Sequence, residues 1–415
     1  MKILWLSNCI LTHEHTSSTG SWLQAMSAAI SECPDIELYN ITFGAKGKVE
    51  QRDCGKIRQW LVPKGRLVNG AIPQGIATTI CGLIEHVNPD LVHIWGVEHY
   101  WALLSARGYI KQRVLLEIQG LNYTCAEAYY GGMTRPDIKS CVRLRDYILP
   151  RRRIENIQRS HEKWGEYEKE MLAAHRYIST QSQWVRASIA PYCNKQAQIY
   201  HTRMAVREEF MNTAPWGIPQ EDAPIQLLSL SSSALPYKGV HVAIKALAIL
   251  KQYYPNICLK IAGNYQNNRK AINKHGYVRF LEKLIQRLGL EKNVEFVGAL
   301  NAEELIALMK QTHVMIHSSF VESYSLVLAE AMAVGVPSVV SYAGAMPELT
   351  EYGKAALLYT PTDYRMCAHQ VRQLLEDRNL ASSISEAARC VAMERNNINS
   401  VVERQLEIYN QVLIS

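Results

Sequence analysis

Short apolar runs, rich in β-branched residues and often closed by Gly, Ser or Asn, alternate along the chain with longer segments of helical period. In the first half the runs are Lys2–Ser7, Ile36–Phe43, Leu91–Gly96, Val114–Ile118, Tyr177–Thr180 and Gln198–His201. In the second they are Gln226–Ser231, Cys258–Ala262, Val294–Val297, Val314–His317, Ser338–Ser341 and Ala356–Tyr359. Nearly continuous apolar strands between helices predict parallel sheets covered on both faces. The series restarts after Asn212–Pro224, where three prolines and a glycine break any regular element. The expectation is an α/β chain of two doubly wound domains facing each other across a cleft, 1–214 and 215–397. A terminal helix, 398–415, either stays on the second domain or returns to the first. Ligands of such sheets sit beyond the carboxyl ends of the strands, so chemistry is sought there.

A length of 415 residues with 48% hydrophobic and 20% charged positions fits a globular chain of two or three domains. No apolar run approaches the ~20 uncharged residues of a membrane span. Met1–Ser7 reads as a first strand rather than a signal peptide. Ten cysteines without a CxxC pair point to reduced, mostly buried thiols in a cytoplasm, and away from disulfide frameworks and zinc. A formal charge of +7 favours anionic partners such as a nucleotide, a phosphate or a membrane surface. No nucleic-acid partner is expected. Between Arg143 and Lys163 seven Lys/Arg face three Asp/Glu. This run is either a solvated helix face or a patch for anionic lipid at the inner membrane surface, or for a phosphorylated acceptor.

The chemistry concentrates in Val314–Val340. A strand ending at His317 leads through Ser318–Ser323 into a helix over Leu326–Val334, stopped by Gly335 and followed by Pro337. Unpaired N–H groups and the positive dipole end of that helix would hold a phosphate near Tyr324–Leu326. Glu322 precedes the helix, and Glu330 lies further in, about 9 Å from its tip at 1.5 Å per residue. Carboxylates so placed can take hydrogen bonds from the vicinal hydroxyls of a sugar and of a ribose. Two glutamates alone could equally be a dipole-stabilising residue and a surface residue.

The wider string removes that symmetry. Glu322…Glu330 followed by Ala331-Met332-Ala333-Val334-Gly335-Val336-Pro337 closely resembles the signature of family 4 retaining glycosyltransferases. Tyr237-Lys238-Gly239, Ile261-Ala262-Gly263, Val294–Gly298, Gly344-Ala345-Met346-Pro347-Glu348 and, in the first half, Gly20 and Pro89–Gly96 resemble further elements of that family. The resemblance implies a GT-B fold of two Rossmann-like domains, with a nucleotide-diphosphate sugar (UDP or GDP) as co-substrate and no cofactor or metal. It places Lys238 on the donor phosphates, the Ser325 and Leu326 backbone on the distal phosphate, and Glu330 on the ribose. Val297-Gly298 would meet the base and Glu322 the transferred sugar, with Ser319 and Tyr324 in the same donor loop. Transfer with retention would let the leaving phosphate oxygen take the acceptor's proton, the acceptor being a glycan or lipid-linked precursor of a surface polysaccharide.

Two positions depart from the family pattern. Ser232 stands where an arginine is usual, with Arg207 as the candidate replacement. Trp95 stands where a second histidine is usual, with His99 as the candidate imidazole and Gln119 after the next strand as a further acceptor-side residue. His93 reads as a core residue. Beside sugar transfer, two other readings stay open: a different enzyme on this fold, such as a nucleotide-sugar epimerase or a phosphorylase, and a non-catalytic nucleotide- or glycan-binding protein.

Overall fold

A computed structural model describes all residues except 13–20, 143–144, 149–152, 221–222, 232 and 266–275, and the side chains of 21, 145 and 147. Gly20, Ser232, Arg143, Arg151 and Arg152 therefore lie outside the described positions. The chain divides into two compact units. The first comprises Met1–Asn122, Trp164–Arg207 and Arg395–Ser415, and the second Tyr123–Lys163 and Glu208–Glu394.

The first unit holds β1 (Lys2–Ser7), β2 (Glu37–Ala45), β3 (Glu50–Gln51), β4 (Arg58–Pro63), β5 (Leu91–Trp95), β6 (Val114–Ile118), β7 (Tyr177–Thr180) and β8 (Gln198–His201). They form one sheet in the order β3-β4-β2-β1-β5-β6-β7-β8, parallel except for the short β3–β4 pair. Its central strands are buried on both faces and apolar apart from His93 and Glu117, as helices on both sides require. Trp5, Trp95 and Trp101 fill the middle. Helix α1 (Ser21–Ser31) and the terminal helix α5 (Ile398–Ile414) both belong to this unit. Asn397 caps α5 through its side chain, which accepts from the N–H groups of Asn399 and Ser400.

Tyr409 of α5 is fully buried beneath β1 and β5. Its hydroxyl accepts from Trp5 Nε1 at 3.0 Å and lies 2.8 Å from His93 Nδ1. His93 is wholly buried, which holds its pKa well below the ordinary value.

In the second unit β9 (Gln226–Leu230), β10 (Cys258–Ala262), β11 (Val294–Gly298), β12 (Val314–His317), β13 (Ser338–Ser341) and β14 (Leu357–Tyr359) form a parallel sheet ordered β11-β10-β9-β12-β13-β14. Strand order reverses between β9 and β12, the position where ligands of such sheets bind. The connector expected at 212–224 packs on this unit, with the Trp216 N–H on Val334 O and its indole on Thr312 O, both at 2.8 Å.

Residues 123–163, expected inside a first domain of 1–214, associate with the second unit instead. A pair of glycines lies at this join. Gly131 and Gly132 are both left-handed (φ +55° and +70°), and a Cβ on Gly131 would lie 2.5 Å from Pro236 O. The Gly131 carbonyl accepts from His241 Nε2 at 2.9 Å, and the Tyr277 hydroxyl lies 2.8 Å from Nδ1. Because a carbonyl can only accept, the proton of His241 sits on Nε2. The chain returns to the first unit within helix α2 (Ile154–Ala174).

Among the described residues no helix is long and apolar enough to cross a membrane. All ten cysteines are free; four are buried, five half-buried and Cys390 is exposed.

Candidate active site

The site of the second unit grows from helix α4 (Leu326–Val334), which is apolar on every side and therefore sunk into the fold. Ser325 is its N-cap, accepting from the Leu328 N–H, and left-handed Gly335 ends it. The remaining N–H groups of the first turn have no intrahelical partner and form an anion-binding tip. Glu330 is buried one turn further in, and Tyr324 and Leu326 are half-buried at the tip.

Two chain segments converge beside that tip. The first is a 3₁₀ turn, Pro236–Lys238, leading through left-handed Gly239 (φ +69°) into helix α3 (Val240–Leu250). A Cβ at Gly239 would sit 1.9 Å from Ser318 O, so only glycine lets this turn lie on the end of β12. The Phe320 N–H donates to Tyr237 O at 2.7 Å, completing the join. The second is the loop holding Glu322, whose carbonyl accepts from the Ala345 N–H at 2.9 Å. Gly344 makes room for it, since a Cβ there would lie 2.2 Å from that same carbonyl oxygen.

The side chains meet at one oxygen. Lys238 Nζ lies 2.7 Å from Glu322 Oε1, Ser319 Oγ donates to it at 2.8 Å, and His317 Nε2 is 3.6 Å away. His317 also shares a 2.9 Å hydrogen bond with Ser325 Oγ, which ties the cap to the carboxylate. Ser341 fixes Ser319 from behind by donating to its carbonyl at 2.5 Å. Burial alone would raise the Glu322 pKa, but Lys238, then His317 and the two hydrogen bonds, hold it below the usual carboxylate value. His317 is pushed down to about 4, by burial first and then by the Lys238 charge working against the pull of Glu322. At neutral pH the site is thus an ammonium, a carboxylate and a neutral imidazole beside a helix N-terminus.

Of the residues expected from the sequence, Lys238, Ser319, Glu322 and Ser325 form this contact network, with Tyr324, Leu326 and Glu330 on the same loop and helix. Val297 and Gly298 end β11, where Gly298 O accepts from the Gly263 N–H at 2.7 Å. His317 and Ser341 were not singled out from the sequence. Their types gave no signal, although both end strands adjoining the motif.

His99, Trp95, Gln119 and Arg207 belong to the first unit. Trp95 is buried against Trp5 and Trp22 at centroid distances of 5.0 and 5.2 Å, with His93 at 3.8 Å. Half-buried His99 packs edge-on to Phe43. Its pKa is lowered to about 4, mainly by burial and then by Lys64. Beyond β5 the sequence reading passed over Glu98. Its carboxyl is pushed up to about 7 by burial, opposed by its own N–H and reinforced by Glu168. Glycines at 96 and 120 leave room for it, a Cβ on either falling within 3 Å of a Glu98 oxygen.

Residues 220–391 match the family described as glycosyl transferases group 1. Among curated proteins the chain is similar to the MMP α-(1→4)-mannosyltransferase of Mycolicibacterium hassiacum, with 29% identity over 220 residues, 51% of each chain. It is also similar to the glycogen synthase of Mycobacterium tuberculosis, with 33% identity over 152 residues, 37% of this chain and 34% of that one. These matches span about half the relatives' length at most. Similarity of structure covers the whole chain. Sucrose-phosphate synthase from Thermosynechococcus elongatus superposes with a TM-score of 0.70 at 18% identity, over 100% of this chain and 99% of that one. Anabaena HepE, solved in complex with UDP, gives 0.66 at 18% identity over 99% and 100%. Residues 220–391, which contain the Lys238–Glu322 site, thus match the glycosyl transferases group 1 family, and the chain as a whole shares the GT-B fold of these solved structures.

Proposed function

We propose that the protein is a retaining, family 4-type glycosyltransferase that moves a sugar from a nucleotide diphosphate to a glycan or lipid-linked acceptor without a metal. The observation carrying this reading is the Lys238–Glu322 pair beside the α4 N-terminus. A diphosphate at that tip has a cation and unpaired N–H groups for its charge, and an ionised carboxylate for the sugar hydroxyls. HepE has been solved with UDP and UDP-glucose, which favours UDP as the nucleotide.

In the proposed reaction the bond between the sugar's anomeric carbon and the diphosphate oxygen breaks while the acceptor oxygen bonds to the same face. The acceptor's proton passes to the departing phosphate oxygen. Lys238 and the helix tip stabilise the charge that gathers on the leaving group, while Glu322 orients the sugar and forms no covalent bond. Work on a surface polysaccharide precursor, at the inner face of a membrane, is part of the same proposal. Its support is the basic run Arg143–Lys163.

The test is hydrolysis of UDP- and GDP-sugars without acceptor, in EDTA, by the wild type, Lys238→Ala and Glu322→Ala. Slow release of one nucleoside diphosphate, lost in both variants, is expected. Failure of the wild type to bind any nucleotide would refute the donor site.

A further inference from the structure

Between Lys46 and Arg66 seven Lys/Arg face two Asp/Glu, so this short stretch carries +5 of the formal net charge of +7. Arg52 pairs with Glu50 at 3.5 Å and Lys56 with Glu32 at 2.6 Å. Lys46, Lys48, Lys64 and Arg66 are exposed, and none forms an ion pair among the described residues. They share one edge of the sheet. β2 and β4 run parallel with Ala45 opposite Pro63, so Lys46 and Lys48 leave one strand where Lys64 and Arg66 leave its neighbour. That edge is the carboxyl end of the strands, the side on which doubly wound sheets bind ligands.

The edge is walled by rings. Lys64 Nζ stands 5.9 Å from the centre of half-buried Phe43, and His99 meets that ring edge-on at 5.4 Å. Neutral His99 can hydrogen-bond there without adding charge. Four cations on two adjoining loops, with no ion-pair partner among the described residues, repel one another, and a multivalent anion with several acceptor oxygens relieves that repulsion better than a single carboxylate.

We propose that this edge is the acceptor's anion site, where Lys46, Lys48, Lys64 and Arg66 hold a phosphate ester or diphosphate whose organic part lies against Phe43 and His99. The proposal rests on the glycosyl-transfer reading and gives its acceptor a chemical class. The phosphate can belong to a soluble sugar phosphate or to a lipid phosphate.

Calorimetric titration with glucose 6-phosphate and with farnesyl phosphate, each with and without saturating UDP, tests the assignment. The proteins are the wild type, the fourfold variant Lys46→Ala/Lys48→Ala/Lys64→Ala/Arg66→Ala, and a control, Arg186→Ala/Lys195→Ala, at exposed positions elsewhere in the unit. The wild type is expected to bind at least one phosphate with UDP present. The fourfold variant should bind it at least tenfold more weakly, the control within twofold of wild type, and UDP equally in all three. Tighter binding of glucose 6-phosphate identifies a soluble acceptor, and of farnesyl phosphate a lipid one. Equal affinity in the fourfold variant, or no phosphate binding by the wild type, overturns the proposal. So does a fourfold variant that keeps phosphate but loses phosphatidylglycerol vesicles, which would make the edge a membrane face. Loss of UDP binding by the wild type would instead count against the donor site, and the titrations without UDP still decide the anion site.

Discussion

The ammonium of Lys238 lies 2.7 Å from Glu322 Oε1, with both side chains largely withdrawn from water. The group that would neutralise the donor phosphates is thus held in place by the group that would orient the sugar. Removing one partner of such a pair strands a charge, at a cost of about 3 kcal/mol, while removing both charges costs much less. Lys238→Met should therefore destabilise the second unit more than Lys238→Met/Glu322→Gln, with donor turnover lost in both. Trp216 is the only tryptophan of that unit, so its resonance in fluorotryptophan-labelled protein, followed by ¹⁹F NMR through urea unfolding, isolates the effect. Equal destabilisation of the single and double variants would show that the pair is not coupled.

Acid should weaken the same unit well before its carboxylates titrate. His317 and His241 are both lowered to about 4 by burial, against an ordinary value near 6.5. Below pH 6.5 the unfolded chain takes up protons that the native state refuses. Stability is therefore complete above pH 6.5 and declines as pH falls toward 4. For one such histidine the loss between pH 7 and pH 5 is roughly 2 kcal/mol. His241→Gln, which cannot titrate, should shrink the drop measured from the Trp216 resonance by that amount, and an unchanged drop would assign the acid response elsewhere.

Gly344 and Gly289 are both left-handed, at φ +57° and +64°, but only Gly344 adjoins the site. Alanine at either carries the backbone strain of that region, about 1–2 kcal/mol. A Cβ at 289 meets nothing within 4 Å, whereas at 344 it collides with the backbone of Glu322. Gly289→Ala should retain donor hydrolysis and Gly344→Ala should lose most of it. Similar activity in the two would mean that the Glu322 loop tolerates displacement.

If the basic run 143–163 meets anionic lipid, changing Arg151, Arg152 and Arg153 together to Ser should weaken binding to phosphatidylglycerol vesicles at low salt. Surface attraction is worth about 1 kcal/mol per basic residue. Co-sedimentation unchanged from wild type would remove the membrane contact.

Much of the fold is legible in the chain because its parallel strands are buried on both faces. Lys2–Ser7, Val114–Ile118 and Val314–His317 occupy the ranges their apolar runs predict. β4 escaped because Arg58, Gln59 and Pro63 interrupt its pattern. Gln59 is nevertheless fully buried, bonded to the N–H and carbonyl of Leu11, the carbonyl of Arg52 and the Asn40 amide. A polar residue satisfied by four hydrogen bonds to three other residues leaves no local signature. Lys238, Glu322 and the α4 tip were readable because they lie on loops of one motif-bearing half, after β9 and β12. His317 was not, because its part in the site depends on a carboxylate and a cap folding back on it. The attachment of 123–163 to the second unit likewise depends on what Gly131 and Gly132 pack against.

Trp5 and Tyr409 share a buried hydrogen bond although 404 residues separate them. At the ~5–20 residues per second of translation, roughly 20–80 s pass between synthesis of the first strand and arrival of the helix that closes over it. Throughout that interval the second unit's sheet can be completed while the older one still exposes the indole of Trp5 and the ring of His93. The amino-terminal sheet is therefore the last to become proteolytically safe, and the ribosome-bound chain is most vulnerable there.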